Sequence, residues 1–150
     1  MSWIAFTAAD VAKRLNSTEV AAMRPLGNDP LPDIVTQVIR EVRSRVRAFQ
    51  TNKLGAEGTI PDELLLAAIN RARYELITVL PVATLMTEDR RQTNKDALAA
   101  LDRVADGRML IEQPASADVS AENVPTRAGG AQVVRSSTHE QFTRGNMRRL

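Results

Sequence analysis

Apolar residues recur at helical spacing up to Gly107, and beyond it the pattern stops. Ile34, Val38 and Val42 lie four apart, and Val35, Ile39, Val46 and Phe49 extend the stripe, so a long helix is predicted over about 33–49. A second stripe, Leu65, Ala68, Ile69, Ala72, Leu76 and Val79, predicts another from about 61 to 79. Pro61 suits its first turn, Asp62 and Glu63 face the positive end of its dipole, and Pro81 stops it. A last helix starts at Thr87 with Glu88 and Asp89, turns Ala97, Leu98, Leu101, Val104 and Ala105 inward, and is capped by Gly107.

The N-terminal part is choppier. Thr7 caps a short helix with Asp10 three residues on, and Val11 and Leu15 form its apolar side. Ser17 or Thr18 caps a second piece over 19–23. The segment from Pro25 to Pro32 holds three prolines with Gly27, Asn28 and Asp29 and reads as a loop. Gln50 to Thr59 reads as a polar loop, and Met109 to Glu112 as a short apolar arm that can form a strand. The fold class is all-α: a small helical bundle with two long helices, one of medium length and short N-terminal helices.

From about Gln113 to Leu150 the chain is rich in Ser, Thr, Ala, Gly and Arg, with single scattered hydrophobes. Such a segment buries too little apolar surface to offset its ordering entropy, roughly 1–2 kcal/mol per residue. The expected organisation is a helical body over 1–112 and an extended arm over 113–150 that orders on a partner. Val133, Val134, Phe142, Met147 and Leu150 are the arm's apolar groups, and Arg144, Arg148 and Arg149 its basic ones. These eight are the candidate partner-binding residues.

Composition narrows the chemistry. Only 3% of residues are aromatic, so the core must be aliphatic. Twenty basic and 18 acidic residues leave a net charge of +2, too balanced to argue nucleic-acid binding from bulk charge. Cysteine is absent, which removes disulfides, thiol nucleophiles and thiolate metal sites. No apolar run approaches the length of a membrane span, and the N-terminus lacks a signal-peptide pattern.

No catalytic constellation emerges, and neither a cofactor nor a metal is expected. His139 is the only histidine and has no neighbouring cysteine or paired carboxylate. Asp62–Glu63 and Glu88–Asp89 sit at predicted helix starts, and adjacent helical residues point about 100° apart. Gly55 and Gly58 are not followed by Gly-Lys-Ser/Thr, and Ser136, Ser137 and Thr138 lack a base. Arg40, Arg43, Arg45 and Arg47 spread over most of one helix's circumference. They are either a solvated surface or, for Arg40, Arg43 and Arg47, groups that line a channel or pair with a neighbouring subunit. Trp3, Ile4 and Phe6 dock on their own bundle or on a neighbouring copy.

Three stretches carry a resemblance. They are the opening MSWIAFTAADVAKRL, the run Asp29-Pro30-Leu31-Pro32-Asp33-Ile34, and the pair Gly58-Thr59-Ile60-Pro61-Asp62-Glu63-Leu64-Leu65 and Leu80-Pro81-Val82 through Met86-Thr87-Glu88-Asp89-Arg90-Arg91. In this order they resemble the Mu-type head-completion proteins of tailed bacteriophages and prophages, which are similar in general shape to head–tail connector or adaptor proteins. The resemblance covers about residues 1–112. It implies a ring of identical subunits, expected to be twelvefold, docked on the portal protein and joined to a tail or tail-terminator protein. It further implies a place in the virion neck after assembly in the host cytoplasm, DNA passing through without sequence-specific binding, and no enzyme activity. By analogy the arm binds the portal. The alternative is a small nucleic-acid-binding helical protein with a basic tail, although no helix-turn-helix signature stands out.

Overall fold

The first three helix starts in this chain are each set by a side chain that accepts from a backbone N–H at the helix entry. The computed structural model describes residues 3–115. Along them run β1 (Trp3–Ala5), α1 (Ala8–Ala12), α2 (Ser17–Met23), α3 (Leu31–Ala48), β2 (Thr59–Pro61), α4 (Leu65–Val79) and α5 (Glu88–Ala105). At α1 the Asp10 carboxylate accepts from the Thr7 backbone N–H at 3.0 Å and from the Thr7 hydroxyl at 2.7 Å. The hydroxyl contact is the main reason that the Asp10 carboxyl is held below its usual range.

The cap of α2 is Asn16, not Ser17 or Thr18. Asn16 Oδ1 accepts from the Glu19 N–H at 2.8 Å, and Glu19 Oε2 accepts from the Asn16 N–H at 2.7 Å. Asn16 prevails because a glutamate stands three residues on, whereas Ser17 and Thr18 are followed at that distance by Val20 and Ala21. Helix α3 begins at Leu31, inside the segment expected to be loop. Pro32 lies in its first turn, where a missing N–H costs nothing, and Asp29 Oδ1 takes the Leu31 N–H at 3.0 Å.

Helix α4 starts four residues later than its sequence suggests. Ile60 and Pro61 are extended in β2, which pairs antiparallel with β1 so that Trp3 faces Pro61 and Ala5 faces Thr59. A single 3₁₀ turn, Asp62–Leu64, leads into the helix. That turn shifts the phase: Leu64 is fully buried and Leu65 only half-buried. At the other end Leu80 leaves the helix with extended backbone and turns inward. Val79, expected in the core, is therefore 52% exposed, and Ile77 and Leu80 take its place. The close of α5 is as expected. Gly107 has φ 72°, its N–H reaches the Val104 carbonyl at 3.1 Å, and the Arg108 N–H reaches the Arg103 carbonyl at 2.7 Å. A Cβ at Gly107 would also overlap the Phe49 ring.

The expected helical bundle is present. Helices α3, α4 and α5 each pack on the other two, and α1 lies against α3 and α4. The long helices are α3 and α5, with 18 residues each, and α4 has 15. Val38, Val42, Leu76, Leu101 and Val104 meet at its centre with no exposure. Phe6 is buried, and Trp3 and Ile4 pack half-buried on the same core, so the N-terminus docks on its own body. Leu54 is also buried, so the loop before β2 is not purely polar. Residues 109–112 form no strand; Ile111 tucks in and Leu110 points out. Among the described residues, no helix is long and apolar enough to cross a membrane. Val133, Val134, Phe142, Arg144, Met147, Arg148, Arg149 and Leu150 lie outside the described residues, as does the arm beyond Ala115.

Candidate functional site

Arg43 is not a surface charge. It is 5% exposed, and its place one turn from Ile39 and Val46 puts it on the apolar side of α3. Its guanidinium donates to the Gly55, Ala56 and Thr59 carbonyls at 3.0–3.2 Å. The same group lies 5.9 Å from the centre of the Trp3 ring, within cation–π range. Arg43, expected as a solvated, channel or inter-subunit charge, is instead spent within its own chain, where it holds the loop before β2 under β1. Arg40 and Arg47 are exposed on α3, and Arg45 pairs with Asp102 of α5.

Gly55 completes this contact. A Cβ there would lie 2.7 Å from Trp3 Cδ2, so the indole rests directly on backbone. The sequence marks Gly55 only as a turn residue. The requirement comes from a residue 52 positions away, and no local pattern reports it.

Trp3 in turn grips the end of the body. Its indole N–H donates to the Glu112 carbonyl at 3.1 Å, while the Glu112 N–H donates to Glu63 Oε1 at 3.1 Å. Next along, Gln113 Oε1 accepts from the Lys53 N–H at 2.7 Å, and Gln113 Nε2 donates to Asn52 Oδ1 at 3.1 Å. Residues from β1, the loop before β2 and the 3₁₀ turn thus converge on Glu112 and Gln113. Glu63, which the sequence assigns to a helix dipole alone, is one of them. Among the described residues these hydrogen bonds reach Gln113, one residue past the expected boundary at 112.

A second polar centre joins three helices. Glu19 of α2 is fully buried and is shared by two arginines: Arg90 Nη2 of α5 at 2.9 Å from Oε1, and Arg73 Nη2 of α4 at 3.1 and 3.2 Å from the two oxygens. Arg90 Nη1 also donates to the Leu85 carbonyl at 2.5 Å. Removing the carboxylate would strand two partly buried cations. The signal for Glu19 was its place three residues after Asn16.

Elsewhere a groove of about 410 Å³ lies between α1, α2 and the start of α3, with Leu15, Val20, Met23 and Leu31 in its walls. Among the described residues, no group of His, Cys, Asp and Glu gathers as a metal site would require. No known protein family, no curated protein and no solved structure matches the chain.

Proposed function

We propose that this chain is a structural head–tail connector of a tailed bacteriophage or prophage, a subunit of a ring that docks on the portal and joins capsid to tail. The observation that carries the reading is the fixed root of the arm. Trp3, Glu63, Lys53 and Asn52 all hold Glu112 and Gln113, so the residues that lead into the arm are held at a defined point on the body. Charge supports it as well. Residues 116–150 hold five arginines against three acids, so the net +2 resides there and residues 1–115 balance. A neutral body that grips the base of a basic segment suits a component that presents this segment to a partner.

In this reading Val133, Val134, Phe142, Met147 and Leu150 fill apolar pockets on the portal, and Arg144, Arg148 and Arg149 meet its carboxylates. Arg40 and Arg47 face a neighbouring copy or the DNA channel. The test is co-sedimentation of the full chain with portal rings of the phage or prophage that encodes it. The expected result is stoichiometric binding to the rings and no shift of short duplex DNA. A salt-sensitive DNA shift without ring binding would favour a nucleic-acid-binding protein instead.

A further inference from the structure

Beside the Glu19 centre, α4 and α5 enclose a cleft of about 50 Å³, lined by Asn70, Arg73, Tyr74, Ile77, Arg90 and Thr93. We propose that this cleft binds a small oxyanion, of the carboxylate or inorganic phosphate class. Two guanidinium groups share the single Glu19 carboxylate, which leaves one positive charge in surplus at the cleft wall. Arg73 Nε is buried and donates to no protein atom, so one N–H of this cleft-lining arginine lacks an acceptor.

The nearby acids do not cancel this surplus. Glu19 is spent on both arginines, and Glu75, next to Tyr74, turns to Arg71. Thr93 donates its hydroxyl to the Asp89 carbonyl, so it forms a wall and not a donor. Asn70 and Tyr74 add an amide and a phenol. Size sets the class of ligand. One water needs roughly 10–15 Å³ of such space, so the cleft holds about three to five non-hydrogen atoms. A carboxylate group or a phosphate ion fits this range; a nucleotide does not.

The test is an NMR titration of the full chain with sodium phosphate and, separately, sodium acetate at constant ionic strength, following the Arg73 Nε–H resonance. A saturable shift is expected with at least one anion. Tighter binding of acetate assigns the cleft to a carboxylate side chain brought by another polypeptide, and tighter binding of phosphate to a free ion. Two variants separate the site from the surface. Arg73→Lys removes the unpaired Nε–H, and Thr93→Leu fills the cleft while leaving both arginines on Glu19. Each should weaken binding at least tenfold, and Thr93→Leu keeps the test open should Arg73→Lys fail to fold. Linear, unsaturable shifts with both anions would overturn the proposal. So would affinity in Thr93→Leu within twofold of the wild type, which would mean that the anion sits elsewhere.

Discussion

Trp3 and Glu112 stand 109 positions apart, and the indole N–H of the first donates to the carbonyl of the second at 3.1 Å. The contact pins Glu112 to β1, just before the segment proposed as the arm. It depends on Arg43 beneath the ring and on Gly55 against it.

Trp3→Phe keeps a ring over Arg43 and removes the N–H. The loss should be about 0.5–1.5 kcal/mol of stability, with faster amide exchange at Leu110 to Gln113. Gly55→Ala should displace the indole itself, at about 1–3 kcal/mol. Trp3 is the only tryptophan, so its emission reports the displacement directly as a red shift. Unchanged emission in Gly55→Ala would mean that the ring does not rest on that backbone.

Leu76→Ala and Leu101→Ala remove fully buried side chains from the centre of the bundle. Each should cost about 2–5 kcal/mol in urea unfolding. Val79→Ala, on the same helix as Leu76 but exposed, should change stability by about 0.5 kcal/mol or less. A large loss at Val79 would restore the face that the sequence suggested.

Glu19→Ala leaves Arg73 and Arg90 without their carboxylate. Both are partly exposed, 29% and 21%, so water relieves some of the cost. About 3 kcal/mol is expected, the low end for a broken buried pair. Arg73→Ala should cost less, because Arg90 still neutralises Glu19. Equal losses in chemical denaturation would contradict this order.

Asp10 gives a pH dependence. Its carboxyl is held below the ordinary value of 3.8, chiefly by the Thr7 hydroxyl. A lowered folded value stabilises the folded state above the unfolded one, and the contribution fades as pH falls through the folded value. The gap in stability between wild type and Asp10→Asn should hold steady above about pH 5 and shrink below pH 4. Asp10 is a capping group near the surface, so the gap should be small, roughly 0.5–1 kcal/mol. A gap that widens in acid would reverse the assignment.

The helices were legible where the signal is local. The stripe through Ile34, Val38 and Val42 and the Thr87 and Gly107 boundaries of α5 are read within a few residues of themselves. Strand β2 was not legible, because Ile60 is defined as strand only by Ile4, its partner across the sheet. Pro61 then looked like a helix start, and the phase of α4 slipped with it. Arg43 was misread for another reason. Its spacing from Ile39 and Val46 places it on the buried face, but four arginines in eight residues suggested one charged surface. The arm root required Trp3, Glu63 and Gln113 to meet across the fold, and no window of sequence contains all three.

The most direct test of the account is portal-ring binding by the full chain, a truncation after Pro114, and the Phe142→Ala and Ser136→Ala variants, each at low and high salt. The truncated body should melt as the full chain does, since its core lies within the described residues, yet should not bind the rings. Phe142→Ala should weaken binding more than Ser136→Ala, because buried aromatic side chains dominate interface energies. Added salt should weaken wild-type binding through Arg144, Arg148 and Arg149 while the Phe142 contribution persists. Wild-type affinity in the truncated protein would contradict the central claim, that the body exists to hold an arm that binds the portal.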